Sequence, residues 1–392
     1  MTASQALRDR LVAELRDQAM LRDDTVARAL ATVPRHLFLP GVDLEEAYAD
    51  KAVVTKRDAA GEPVSSASQP AIVALMLQQL TVRPGQRVLE IGAGTGYNAA
   101  LLASLTGPSG HVTTLDLDAD IVAGAREHLA AAGAGQVEVV QGDGGLGWPL
   151  SAPYDRIILT VGAPDITPAW AAQLAPDGRL VLPLSLRSAL QYSIAFDQAG
   201  DHLQGVSVVP CGFMRLRGEF AGPTASGEEP GELLADPGET VVTGVAISVR
   251  DLFGGLGAWL TIREPDLRRL PVDDAGIVPG RSETAVLVGE AGCAAMIRLG
   301  GLDEAAPLGA GVPFDVGVRP YGKNGSALAV RLAGLVREWA AAGRPGYADL
   351  RISAWPAGAA RPATPSAAVI DKTHTSLVLS WRDGDATLAG GR

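Results

Sequence analysis

Apolar residues change their spacing several times along this chain, and each change marks a different kind of element. Leu7, Leu11 and Leu15 recur at four-residue spacing, and Val26, Ala29 and Leu30 follow the capping candidates Asp23 and Asp24. Two amphipathic helices are expected over residues 4 to 32. Val33-Pro-Arg-His-Leu-Phe-Leu-Pro40 has proline near each end and reads as a locked, extended segment. Residues 48 to 64 alternate in charge and read as a loop, and Ser65-Ser-Ala-Ser-Gln-Pro70 then opens a helix whose face is Ile72, Val73, Met76 and Leu80. From residue 87 to 183, short β-branched runs alternate with helical stretches. The runs are Val88–Ile91, His111–Asp116, Val137–Val140, Tyr154–Val161 and Gly178–Pro183. Such alternation with short links predicts a doubly wound parallel sheet with helices on both faces.

After residue 183 the alternation stops. Gln191–Phe196 and His202–Val209 read as adjacent antiparallel strands, and residues 221 to 240, rich in Gly, Pro and Glu, as a linker. Residues 241 to 392 form a second, smaller α+β unit, with strands at 240–249, 284–290, 350–355 and 373–381 and its clearest helix at 326–339. His374, Ser376 and Trp381 fall on a strand that would make a peptide groove at an edge, or else ordinary sheet surface.

Arg87-Val-Leu-Glu-Ile-Gly-Ala-Gly-Thr-Gly-Tyr97 is the chemical centre of the first unit. A strand, a glycine turn and a helix together present free amide N–H groups to a ligand. Glu90 decides which ligand. A carboxylate there repels the pyrophosphate of a dinucleotide and attracts a ligand carrying an ammonium and a sulfonium. Asp116 closes the next strand about twenty residues after the last glycine, as a ribose diol requires. Asp143, in Gly142-Asp-Gly144, closes the strand after that. S-adenosylmethionine is favoured over NAD.

The chain has 392 residues, enough for about two domains. Its net charge of −11 argues against a nucleic-acid binder. No apolar run reaches the roughly 18 residues of a membrane span, and the first residues lack a signal-peptide pattern. Cys211 and Cys293 give neither a disulfide framework nor a metal site, so a cytoplasmic setting is expected. Oligomeric state is not legible.

The first 215 or so residues resemble the protein-L-isoaspartate O-methyltransferase family. The matching segments, in order, are Val33–Phe38, Ser68-Gln-Pro70, Val88–Tyr97, Gly142–Gly144, Tyr154–Ile158 and Leu180–Pro183. The resemblance implies a Rossmann-like class I methyltransferase domain over residues 1 to 220. It implies that Glu90, Gly92, Ala93, Gly94, Gly96 and Tyr97 line the methionine end of the cofactor. Asp116 and Leu117 would lie at the ribose, and Gly142, Asp143 and Gly144 by the adenine. Ser68 would orient the reacting carboxylate, with Ser66, Gln69 and His36 on the substrate side; a structural histidine is the simpler reading of His36, and an N-cap the alternative for Ser68.

The run Pro63–Ser68 departs from the family's Thr-Ile pair before the serine. The extension makes the chain look more like a longer branch that acts on ribosomally made peptides beside ATP-grasp or lanthipeptide enzymes. The expected activity is therefore esterification of an aspartyl side chain in a precursor peptide, leading to aspartimide or isoaspartate, with the second unit helping to hold that peptide. The alternatives are isoaspartyl repair of damaged proteins, a non-catalytic peptide-binding module, and an RNA methyltransferase, against which the acidic balance speaks.

Overall fold

The computed structural model describes residues 2–187, 190–222, 234–272, 275, 283–299, 312–361 and 367–382. Most of the expected linker, residues 223–233, lies outside them. The chain opens with helices α1 (Ala3–Asp17) and α2 (Asp24–Thr32), the latter capped by Asp23, which accepts from the amides of Thr25 and Val26. Arg35–Phe38 is a turn of 3-10 helix, where an extended segment was expected. Pro34 is its N-cap, where a missing N–H costs nothing. A short α3 (Leu44–Ala47) follows. The stretch expected as a loop holds a hairpin, β1 (Val53–Arg57) and β2 (Pro63–Ala67). Most of β1 is exposed on both faces, so no apolar alternation marked it.

The central units are α4 (Pro70–Leu80), β3 (Arg87–Ile91), α5 (Tyr97–Thr106), β4 (His111–Asp116), α6 (Ala119–Ala131), β5 (Glu138–Gln141), β6 (Tyr154–Leu159), α7 (Pro168–Gln173) and β7 (Leu174–Arg187). Strands β3 to β6 are parallel neighbours, and β6 pairs parallel with β7. Then β8 (Leu190–Ala199) and β9 (His202–Cys211) extend the sheet antiparallel, as the patterning predicts. The mixed α/β expectation holds. One face carries α1, α2, α4, α5 and α6 over a core that includes Leu15, Leu30, Leu77, Leu101 and Leu102, all almost fully buried. At roughly 1.5–3 kcal/mol per buried leucine, such residues hold the layers together.

Beyond the linker come β10 (Val241–Ile247), a helical turn Val249–Asp251, a wide π-type turn Leu252–Leu256, and α8 (Gly257–Arg263). Gly254, Gly255 and Gly257 hid this helix from periodicity. Then follow β11 (Leu267–Pro271), β12 (Glu283–Gly289), β13 (Gly292–Arg298), β14 (Phe314–Gly322) and α9 (Gly325–Ala341). The five strands form an antiparallel sheet in the order β10-β14-β13-β12-β11.

The last three strands do something else. β15 (Leu350–Pro356), β16 (Ala368–Asp371) and β17 (Thr375–Trp381) join the first sheet, making it ten-stranded in the order β16-β17-β15-β9-β8-β7-β6-β3-β4-β5. β15 pairs with β9 at Ser353–Gln204 and Ala354–Leu203, and Trp355 stacks on His202 at 4.1 Å. Residues 241 to 392 therefore do not stand apart as one unit. Their own sheet ends at β14 and carries α9, and only the last three strands complete the first sheet. One hydrophobic core runs from Leu89 and Ile157 through Trp259 to Val316 and Trp339. β17 lies between β15 and β16, so the strand that carries Ser376 and Trp381 is not an edge, and the groove alternative for it falls. Among the described residues no helix is long and apolar enough to cross a membrane.

Candidate active site

A cleft of about 1210 Å³ opens at the carboxyl ends of β3, β4 and β6, where parallel sheets present ligands. Its floor is the turn after β3. Gly92 has φ +101°, and a Cβ there would stand 2.7 Å from Thr160 Oγ1 and 3.0 Å from Val161 Cγ1. Only glycine fits. The Thr160 hydroxyl donates to the Gly92 carbonyl at 2.6 Å, tying the end of β6 to the turn.

Glu90 is wholly buried. It accepts hydrogen bonds from Asn98 Nδ2 at 2.8 Å and Thr114 Oγ1 at 2.6 Å. Burial outweighs these bonds and pushes its carboxyl up to about 7, and nearby Asp116 adds to the rise. Asp116 at the tip of β4 accepts from the Gly94 amide at 3.1 Å; burial raises its pKa, against the pull of the Gly94 and Asp118 amides. Glu90 and Asp116 are the two carboxylates of the cleft wall.

Two straps cover this floor. The β1–β2 hairpin lies over the glycine turn, with the Ser66 carbonyl 3.7 Å from where a Gly94 Cβ would be. The segment after β9 returns across the strand ends: the Gly162 amide donates to Met214 at 2.7 Å, and the Leu216 amide to Gly162 at 2.8 Å. Both straps are anchored on Asp118, at the start of α6. Lys56 Nζ from β1 reaches it at 2.8 Å, and Arg217 from the second strap at 3.0 Å. These two partners hold the Asp118 carboxyl below the usual range.

Of the residues expected at the site, Ser66, Ser68, Gln69, Glu90, Gly92, Ala93, Gly94, Tyr97, Asp116, Leu117 and Gly144 line the cleft. Four others do not. Gly96 is the N-cap of α5, packed against Leu129. Gly142 lies outside the wall, where its amide donates to the Asp116 carbonyl at 3.0 Å. Asp143 is turned to the amides of Gly145, at 2.8 Å, and Glu219, at 2.7 Å, so it pins the second strap. Gly218 has φ +99°, and any Cβ there would stand 2.3 Å from Asp143 Oδ2. His36 is bonded through Nδ1 to Tyr48 Oη at 2.7 Å, away from the cleft, and burial lowers its pKa; it is a structural histidine.

Ser68 does not cap α4. Gln69 is the N-cap and makes no side-chain cap bond, while Asp50 accepts from the Ala71 amide at 2.8 Å and from Gln69 Nε2 at 2.9 Å. The serine hydroxyl is thus left to the cleft.

The cleft has a second end that sequence reasoning missed. Arg250, Phe253, Gly254 and Tyr347, all beyond the linker, stand in the same wall as Ser68. No motif marks them. Thr160 and Val161 had a signal, since they follow a parallel strand; Phe213–Arg217 had none.

A parallel sheet with a glycine turn after its first strand and an acid closing the next is a Rossmann-like nucleotide-type site, and Glu90 at its floor suits the methyltransferase form of it. The family model for protein-L-isoaspartate(D-aspartate) O-methyltransferase matches residues 6–219. The chain belongs to that family and is a methyltransferase. It is 44% identical over 195 residues to the protein-L-isoaspartate O-methyltransferase of Methanoregula boonei, covering 48% of this chain and 85% of the relative. It is 37% identical over 213 residues to that of Methanopyrus kandleri, covering 54% and 92%. A solved protein-L-isoaspartate O-methyltransferase structure superposes with a TM-score of 0.53 at 26% identity, covering 88% of this chain and 96% of that one.

Proposed function

We propose that the protein transfers a methyl group from S-adenosylmethionine to the side-chain carboxylate of an isoaspartyl residue in a protein or peptide. The observation that carries this reading is the family cleft itself, with Ser68 free of any capping duty in the same wall as Glu90 and Asp116. The residues fit the cofactor: Gly92, with φ +101°, makes the tight turn that forms the cleft floor, Glu90 offers negative charge to a cationic group, and Asp116 suits a diol. When bound, the cofactor supplies an electrophilic methyl on a sulfonium.

The chain's own share is alignment. A carboxylate with a pKa of about 4 is already ionised at neutral pH, so no general base is needed. The Ser68 hydroxyl donates a hydrogen bond that orients the acceptor. The straps on Asp118 fix the walls of the cleft, and held geometry can supply many kcal/mol of the barrier. The resulting ester invites attack by the neighbouring backbone nitrogen, closing a succinimide. Cys211 and Cys293 form no disulfide with each other, which supports a cytoplasmic setting.

Aspartyl esterification in a ribosomally made precursor peptide is the second reading. It is favoured by the wall beyond the linker, which gives an acceptor more surface than the catalytic domain alone. The extension by itself does not separate the two, since the solved relative spans 88% of this chain. Isoaspartyl and aspartyl test peptides, incubated with enzyme and S-adenosylmethionine and read by mass spectrometry, decide between them. Gain of a methyl mass on isoaspartyl peptides alone supports the first reading. Gain on aspartyl peptides followed by loss of methanol supports the second, and no gain on either refutes both.

A further inference from the structure

We propose that the far wall of the cleft, built around Arg250 and Phe253, is a subsite for the residues flanking the methylated position, and that it selects an acidic side chain there. The inference rests on the isoaspartyl reading above and names the class of peptide that site takes.

The wall is fixed to the catalytic sheet. Tyr192 of β8 is fully buried and donates its hydroxyl to the Gly254 carbonyl at 3.0 Å. Gly254 departs from helical geometry, with φ −86° and ψ −107°, inside the wide turn Leu252–Leu256. The Tyr347 ring lies against the same glycine, 3.4 Å from where its Cβ would be. This bend places Phe253 in the wall as a half-buried ring with the Arg269 guanidinium over it at 5.3 Å, and Arg250, exposed, lines the same wall.

The charge of the cleft is opposite to that of the chain. The whole protein carries −11, yet the cleft wall holds five arginines against two carboxylates, Glu90 and Asp116, both at the cofactor end. Arg179 is paired with Asp197 and Arg217 with Asp118. Arg250 has no carboxylate partner among the described residues. Its neighbour Asp251 is committed elsewhere, accepting from the Ser248 amide and hydroxyl at 2.8 Å each and standing 4.0 Å from Arg344. An arginine with no carboxylate partner among the described residues, in a wall that Phe253 also lines, suits a carboxylate on a short aliphatic stem, and charge complementarity of this kind sets specificity.

The test uses three isoaspartyl peptides that differ only in one flanking residue, Glu, Gln or Lys, with the full-length enzyme and its Arg250→Glu and Arg250→Lys variants. The readout is the ratio of kcat/KM for the Glu peptide to that for the Lys peptide, which a general loss of activity does not move. A ratio of about tenfold is expected for the parent, shrinking in high salt as exposed charges are screened. It should invert in Arg250→Glu and persist in Arg250→Lys. A parent that treats the three alike, or an Arg250→Glu enzyme that keeps the parent's ratio, overturns the subsite while leaving the isoaspartyl reading intact. No methylation of any peptide overturns that reading, and the subsite with it.

Discussion

Replacing Glu90 by glutamine tests whether the floor of the cleft is built for a cation at the expense of stability. The carboxyl is fully buried, and its two bonds, to Asn98 and Thr114, do not repay its loss of water, so it titrates at about 7 instead of 4.5. The folded value lies above the unfolded one. The stability that comes from holding this proton is complete below pH 4.5 and is lost as the pH rises through about 7. At about 1.4 kcal/mol per pH unit, the interval is worth about 3 kcal/mol, a few degrees in Tm for a chain of this size. Glu90→Gln keeps the shape and removes the titration. Its Tm relative to the parent should rise steadily from pH 5 to pH 8. The cofactor, carrying an ammonium and a sulfonium, prefers the ionised acid, so the variant should bind S-adenosylmethionine about 10- to 100-fold more weakly at pH 8. S-adenosylhomocysteine, which lacks the sulfonium charge, should lose less. Differential scanning fluorimetry across pH and calorimetry with both ligands give the numbers. A Tm difference that is flat with pH, or equal losses for the two ligands, would refute the reasoning.

Other substitutions separate alignment from folding. Ser68→Ala should lower kcat by about 100-fold through lost orientation, leaving Tm and cofactor affinity in place; a fall in Tm would mean the serine holds up α4 after all. Asp50→Ala should show the reverse, costing about 1–2 kcal/mol in a urea titration because the amide of Ala71 loses its cap. Gly92→Ala should abolish cofactor binding in calorimetry, since its Cβ meets Thr160 at 2.7 Å on a backbone with φ +101°. Lys372 donates to the carbonyls of Pro164 and Ser185, both at 2.7 Å, and burial brings it down to about 8 from 10.5. Its folded value lies below the unfolded one, so the stability it contributes is present above pH 10.5 and lost as the pH falls through about 8. The parent should gain on Lys372→Met between pH 8 and pH 10 in thermal melts, and a constant difference would exclude that titration.

Much of the catalytic half was legible because its signals are local. Val88 to Ile91 is a buried parallel strand, and such strands are continuous apolar runs that need no partner to be recognised. The glycine turn declares itself through φ angles that other residues resist. His36 and Asp143 were misplaced for a common reason. Each is a polar group on a segment the family motif covers, and only the tertiary partner, Tyr48 for one and the Glu219 amide for the other, shows where its side chain points. The hairpin at 53–67 was invisible because its outer strand is wet on both faces. The region past the linker was harder still. Gly254, Gly255 and Gly257 interrupt the helical period, and nothing in Leu350–Pro356 announces that it will pair with β9, about 150 residues earlier, as well as with its near neighbour β17. Long-range pairing is set by which edges remain open once local pieces have formed.

That pairing bears on how the protein can be dissected. A truncation ending near residue 222 looks like a clean catalytic fragment, but it would take from β9 its partner at Leu203 and Gln204 and leave that end of the strand bare along one side. Unprotected rims of this sort recruit strands from other molecules. The shortened enzyme should therefore self-associate in light scattering, and anyone preparing it would do well to retain β15 with the strands that follow it.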